Sequence, residues 1–207
     1  MNILVTGSNG QLGSEIRVLS NEFDNNYFFT DRTELDITNE IAIKEFVTSN
    51  KIDTIINCAA YTAVDKAEDD KENADLVNRK ATKKLAKISK ENNIKLIHVS
   101  TDYVFDGKAY KPYVEEFQTK PNGVYGQTKL DGEKEMQAIN PHNSIIIRTS
   151  WVYSSFGANF VKTMLRLGKD KEQLGVIFDQ IGTPTYARDL ARTILEILPK
   201  IQNDKVE

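Results

Sequence analysis

Residues 1–13, Met-Asn-Ile-Leu-Val-Thr-Gly-Ser-Asn-Gly-Gln-Leu-Gly, decide how this chain is read. The apolar run within Asn2–Thr6 predicts a buried strand, and an amphipathic stretch over Gln11–Asn21 predicts the helix that follows. Between them stand Gly7, Gly10 and Gly13, three residues apart. A strand that ends in glycines and opens a helix gathers free N–H groups and the positive end of the helix dipole at one point, which suits a pyrophosphate. In that context Gly7 permits a tight turn, Gly10 lets backbone approach the phosphates, and Gly13 lets the helix pack closely on the sheet.

Working outward, short apolar runs alternate with longer amphipathic stretches. Strands are predicted at Tyr27–Thr30, Thr54–Asn57, Lys95–Ser100 and Ser144–Thr149, with helices near Asn39–Ser49, Glu72–Asn92 and Tyr125–Ala138. That order predicts an α/β fold, a doubly wound parallel sheet of Rossmann type covered by helices on both faces. Beyond Thr149 the pattern loosens to a helix near Asn159–Leu167, a strand at Gly175–Phe178 and a helix near Ala187–Leu198. Residues 1–150 are therefore assigned to a dinucleotide-binding domain, and 151–207 to the start of a substrate-binding region. The polar tail Pro199–Glu207 is expected to fray. An α/β enzyme normally builds its substrate pocket from more chain than this, so the substrate-binding part is expected to be incomplete, in a truncated or a naturally short form.

Composition excludes several classes. The chain has 207 residues, 40% hydrophobic and 28% charged, with a net charge of -3, which gives no electrostatic case for nucleic acid. The single cysteine, Cys58, excludes an internal disulfide framework, and with no histidine near it in sequence it reads as a small buried hydrophobe. A strand beginning at Asn2 leaves no room for a secretory leader, and no apolar run is long enough to cross a bilayer. The expectation is a cytoplasmic protein with no membrane partner.

Asp31 lies 18 residues beyond Gly13, at the end of the second strand, where an acid meets the adenosine ribose. Such a carboxylate accepts from a 2′-hydroxyl and disfavours a 2′-phosphate. Arg32 beside it could instead pair with that phosphate or stack on adenine, so the choice between NADH and NADPH stays open. Ala59 and Ala60 end the third strand, small enough either for close backbone approach to a cofactor or for tight packing under the next helix.

The fourth strand runs into Ser100-Thr101-Asp102-Tyr103, placing hydroxyls and a carboxylate at the carboxyl edge, where doubly wound sheets bind ligands. Twenty-four residues after Thr101 comes Tyr125, followed four residues on by Lys129. Positions four apart share a helix face. A phenol with a pKa of about 10 becomes a useful acid–base group when an ammonium stabilises its phenolate, so Lys129 is expected to lower the pKa of Tyr125 and to hold a nicotinamide ribose. A Tyr-x-x-x-Lys pair alone is weak evidence. Its position after a glycine loop, a ribose acid and a strand-four hydroxyl is what gives it weight.

These residues resemble the extended short-chain dehydrogenases, and specifically the dTDP-4-dehydrorhamnose reductase family. The resemblance covers almost the whole chain: Met1–Gly13, Leu35–Thr38 (LDIT), Asn57–Glu68 (NCAAYTAVDKAE), Ser100–Gly107 (STDYVFDG), Tyr125–Glu133 (YGQTKLDGE), Arg148–Tyr153 (RTSWVY) and Gly182–Leu190 (GTPTYARDL). STDYVFDG and NCAAYTAVDKAE are the specific segments. The resemblance implies hydride transfer from NADPH or NADH to C4 of dTDP-4-dehydro-β-L-rhamnose, giving dTDP-L-rhamnose for polysaccharide synthesis. It implies that Tyr125 protonates the new alkoxide, that Lys129 tunes it, and that Thr101, with Asp102 beside it, binds the sugar. It also implies that Gly10, Gln11 and Leu12 meet the pyrophosphate, that Asp36 and Ile37 meet the adenine side, and that Ala60, Tyr61 and Thr62 meet the nicotinamide side. Trp151 is placed to contact the sugar, although a single tryptophan equally serves packing. Some members are metal-linked dimers, so the resemblance admits a homodimer of this chain with Mg²⁺ at the dimer contact, and Glu15 matches a position that contacts the metal there. As a residue it reads more simply as a first-turn glutamate favourable to the helix dipole, so no metal ligands are assigned.

Two rival readings share the fold. One is a non-catalytic NADP-binding regulatory subunit of methionine adenosyltransferase, against which the intact Thr101, Tyr125 and Lys129 argue. The other is a nucleotide-sugar epimerase or dehydratase, which retains NAD permanently and adds acid–base residues beside the strand-four hydroxyl.

Overall fold

The computed structural model describes residues 1–177 and 179–201. Five parallel strands, β1 (Asn2–Thr6), β2 (Asn26–Thr30), β3 (Thr54–Asn57), β4 (Lys95–Thr101) and β5 (Ser144–Thr149), form one sheet in the order β2-β1-β3-β4-β5. Strand order reverses at β1, so the crevice for a ligand opens at the carboxyl ends of β1 and β3.

Alternate residues of each strand feed opposite layers. Ile3 and Val5, with Ile56 and Ile97, face α1 (Gln11–Leu19) and α7 (Ala187–Ile201), whose Ile16, Leu19, Ile194, Leu195 and Leu198 complete that core. Leu4, Ile55 and Leu96 face the other layer, made by α2 (Glu40–Ser49), α4 (Thr82–Glu91) and α5 (Val124–Ile139). Helix α2 starts cleanly because Asn39 accepts from the N–H groups of Ile41 and Ala42, both at 3.1 Å. The segment predicted as one helix over Glu72–Asn92 is subdivided: α3 (Lys71–Asp75) passes through a π-helical turn, Leu76–Ala81, into α4.

After β5 come two short strands, β6 (Val152–Tyr153) and β7 (Thr185–Tyr186), which pair in parallel, and α6 (Phe160–Asp170) between them. Residues 175–177 are not a strand, contrary to the sequence expectation, because their side chains are partly or largely exposed and no neighbouring strand pairs with them; Phe178 lies outside the described residues. Of the tail expected to fray, Pro199–Ile201 belong to α7, and 202–207 lie outside the described residues. Within the stretch after residue 150, α7 shares the core of α1. No helix among the described residues is long and apolar enough to cross a membrane.

Candidate active site

A groove of about 1100 Å³ runs along the carboxyl edge of the sheet, at the upper end of or beyond the ~300–1,000 Å³ of an ordinary small-molecule pocket. It is lined at one end by Gly7, Gly10, Gln11, Leu12, Asp31, Arg32, Asp36 and Ile37, and at the other by Thr101, Asp102, Tyr125, Lys129 and Trp151, with Ala60, Tyr61 and Thr62 between. Nearly every residue singled out in the sequence therefore reaches one continuous surface. Gly13 sits behind it.

The phosphate loop is shaped by close approach. Gly7 has φ +63°, and a Cβ there would stand 2.7 Å from the backbone of Ala59. A Cβ on Gly13 would stand 2.6 Å from Gly7 O and Ser8 Cα, so only glycine lets α1 begin this near the loop. This cradle, built of backbone and open to the helix N-terminus, fits a dinucleotide pyrophosphate.

At the ribose end the Oδ1 of Asp31 accepts from the backbone N–H and the hydroxyl of Thr33, both at 2.7 Å, and Asn9 donates to its other oxygen. The Thr33 hydroxyl, then its N–H, hold the carboxyl down at about 2. Asp36 is likewise lowered, by the side chain and N–H of Thr38 first and by the charges of Arg32 and Lys84 last. In the middle, a residue the sequence reading did not single out fixes the wall. Asn78, in the π-helical turn, accepts from Tyr61 N (2.9 Å) and donates to Tyr61 O (3.1 Å) and the Thr128 hydroxyl (3.2 Å). A π-turn is itself a signal of such a site, but no sequence pattern announces one.

At the catalytic end the Thr101 hydroxyl donates to Asp102 Oδ1 (3.1 Å), accepts from Tyr103 N (3.2 Å) and is the hydrogen-bond partner of the Tyr125 hydroxyl. The Tyr103 and Tyr125 rings meet edge to face at 5.5 Å. Burial raises the Tyr125 pKa, the Thr101 hydrogen bond opposes this, and Asp102 and Tyr103 add to the rise. The carboxyl of Asp102 is also raised, chiefly by burial.

Lys129 lines the same groove. Its side chain is 1% exposed, and the ammonium nitrogen lies 2.7 Å from Val99 O and 3.2 Å from His98 Nε2. It is turned toward the sheet, on the same groove as Tyr125. Burial pushes Lys129 down to about 8, with Glu133 and Cys58 opposing. Cys58 is partly buried, and desolvation of its thiol pushes it up to about 12.

Trp151 is 41% exposed, with φ +47°, a strained conformation for a bulky residue, and its ring lies edge-on to Phe160 at 5.3 Å. Glu15 is not in the first turn of its helix, which starts at Gln11; it is buried and accepts from the Ser154 hydroxyl at 2.6 Å. Among the described residues no three His, Cys, Asp or Glu side chains gather to hold a metal ion.

The model of the RmlD substrate binding domain matches residues 1–207. The chain belongs to the dTDP-4-dehydrorhamnose reductase family. It is 44% identical over 200 residues to the dTDP-4-dehydrorhamnose reductase of Aggregatibacter actinomycetemcomitans, covering 96% of this chain and 68% of that relative. Among solved structures, the reductase of Clostridium acetobutylicum superposes with a TM-score of 0.93 at 44% identity, covering 97% of this chain and 71% of the other. The reductase of Bacillus anthracis, solved in complex with NADP, gives 0.91 at 38% identity over 96% of this chain and 70% of the other. The chain thus spans about two thirds of the length of its family relatives.

Proposed function

We propose that this chain reduces the C4 keto group of dTDP-4-dehydro-β-L-rhamnose to dTDP-L-rhamnose with NADPH or NADH, as a cytoplasmic step in making polysaccharide precursors. The observation that carries the reading is the single groove joining the glycine cradle to Thr101 and Tyr125. The NADP in the Bacillus anthracis relative supports the cofactor class.

The glycine cradle, with Gln11 and Leu12, would hold the pyrophosphate; Asp31, Arg32, Asp36 and Ile37 the adenosine end; and Ala60, Tyr61, Thr62 and Lys129 the nicotinamide end. The bound cofactor supplies hydride to the carbonyl carbon. Tyr125 gives its hydroxyl proton to the oxygen, converting the alkoxide to an alcohol. The raised pKa suits this role, since the phenol keeps its proton until the much more basic alkoxide forms. Thr101 orients both the phenol and the substrate oxygen, and Asp102 and Trp151 contact the sugar. Residues 1–150 form the cofactor part and the stretch after them begins the substrate part.

NADPH oxidation measured with dTDP-4-dehydrorhamnose against UDP-linked keto sugars tests the reading. Turnover is expected with the former; turnover with UDP-sugars alone, or NAD that co-purifies and does not exchange, would overturn it.

A further inference from the structure

Thr6, Asn57 and His98 occupy one row of the sheet: Thr6 is the register partner of Asn57, and Asn57 of His98. All three are buried, and they form a chain of polar contacts that ends on Lys129. Thr6 Oγ1 lies 2.7 Å from Asn57 Oδ1, Asn57 Nδ2 lies 2.9 Å from His98 Nδ1, and His98 Nε2 lies 3.2 Å from Lys129 Nζ. The reductase reading uses Lys129 and leaves the rest of this row without a role.

Counting protons along the row gives two positions for the imidazole proton, one of them open only when Lys129 is an amine. His98 is neutral, because burial first, and the Lys129 charge second, hold its pKa well below the usual value. It therefore carries one N–H. In the first arrangement Thr6 donates to Asn57 Oδ1, Asn57 Nδ2 donates to His98 Nδ1, and the imidazole proton sits on Nε2, pointing at Lys129. Only a neutral amine has the lone pair to accept it. In the second, an ammonium donates to His98 Nε2, the imidazole proton sits on Nδ1 and is accepted by Asn57 Oδ1 after the amide turns over, and Asn57 Nδ2 donates to Thr6. The same heavy-atom positions serve both.

We propose that His98 and Asn57 are positioning residues that follow the charge of Lys129, the imidazole proton residing on Nε2 when Lys129 is an amine and on Nδ1 when it is an ammonium. Net, one proton enters from solvent and resides on Lys129, and the imidazole holds one proton throughout. The inference deepens the reductase reading and rests on it, since Lys129 is placed there at the nicotinamide end. Val99 O holds one N–H of Lys129 in either state, so the side chain keeps its place while its charge changes. Other groups around it belong to several elements. Glu133 of α5 is paired with Arg148 of β5, and Cys58 follows β3. Asn78 donates to Thr128 of α5, and Glu68 accepts from Val124 N at the start of that helix.

Nitrogen-15 spectra of the imidazoles in the whole, ligand-free chain, followed from about pH 6 to about pH 10, read the tautomer directly. Only two histidines are present, and the other, His142, is exposed. The His98 proton is expected to pass from Nδ1 to Nε2 as pH rises through about 8, and to stop doing so in Lys129→Met. One tautomer over the whole range in the parent chain, or an exchange that persists in Lys129→Met, would overturn the proposal. A second measurement is the alkaline limb of the pH–rate profile. His98→Leu removes an acceptor from the ammonium and should move that limb about one to two pH units lower, whereas His98→Gln, which keeps an acceptor, should move it less. Equal shifts in the two variants would count against the pair. The spectra need neither substrate nor cofactor, so their failure leaves the Tyr125 assignment standing, and a failed reductase assay leaves this row standing.

Discussion

Along β1 and α1 the loop at the phosphate end is held by buried backbone. Ser8 N donates to Thr30 O (3.0 Å), Arg17 reaches the Ser8 hydroxyl (3.0 Å), and Gly7 touches Ala59 with no room for a side chain. From Trp151 to Tyr186 the opposite wall has little such support. Helix α6 buries none of its residues, and Phe160, Leu165, Val176, Ile177 and Ile181 are exposed. What holds this wall is polar and reaches back to α1: Gln11 donates to Val152 O (3.3 Å), Asn159 donates to Gln11 (2.9 Å), and Ser154 to Glu15. The cofactor side is a packed core with a groove cut into its edge, whereas the substrate side hangs on side-chain hydrogen bonds to the phosphate helix. Chemistry and global stability should therefore reside in the first region, and changes in the second should act locally.

The largest effect should come from the packed side. Tyr125→Phe removes one hydroxyl from a buried site, so NADPH binding should survive while turnover with dTDP-4-dehydrorhamnose falls by about 10²–10⁴-fold, the usual share of general acid catalysis. Near-parental turnover would remove Tyr125 from the chemistry.

A stability comparison sharpens the contrast. Ile194 of α7 is fully buried against β1 and α1, and Ile194→Ala should cost about 2–5 kcal/mol in urea unfolding. Leu165 of α6 is 64% exposed, and Leu165→Ala should stay within about 0.5 kcal/mol. Equal losses would mean that α6 is as much a part of the core as α7.

Lys129 adds a pH signature to the packed side. A base whose folded pKa lies near 8 against about 10.4 unfolded carries a destabilising charge below the lower value, and that cost is relieved as pH rises through the window between them. Relative to Lys129→Met, the parent chain should gain on the order of 3 kcal/mol between about pH 8 and pH 10.4. A flat difference would mean that Lys129 stays solvated and charged.

The two regions also differ in how far they can be read from sequence. All five sheet strands and the glycine loop are legible because strands covered on both faces, fully in the middle of the sheet and partly at its edges β2 and β5, are apolar runs, and because the loop's geometry requires glycine itself. Strands β6 and β7 are two residues each, below the length at which any periodicity exists, and among the described residues no strand pairs with residues 175–177 of the apolar run there. Within the groove, spacing brings Tyr125 and Lys129 to one helix face, but it cannot say that Lys129 turns toward His98. That depends on the register of β3 and β4. Asn78 is hidden for a similar reason: its role exists only once the π-helical turn meets the end of β3.

The smallest effect is expected at the rim of the groove, at Asp31. Its carboxylate is accessible to solvent, yet Thr33 and Asn9 already donate to it, so its charge is fixed in place rather than free to swing aside. With a folded pKa of about 2 against about 3.9 unfolded, whatever it contributes is present above the higher value and is lost only as pH falls through the lower one. Any cofactor preference it sets should therefore be constant from about pH 5 upward. A fixed negative charge beside the ribose accepts from a 2′-hydroxyl and repels a 2′-phosphate, while Arg32 next to it acts in the opposite sense. Asp31→Ala should raise NADPH affinity relative to NADH by about two- to fivefold, the scale of an exposed charge interaction, and added salt should shrink the difference. Titrating both cofactors against the parent chain and the variant at low and high salt gives that ratio. If it does not move, Asp31 only closes its turn through Thr33, and Arg32 becomes the residue that sets the preference.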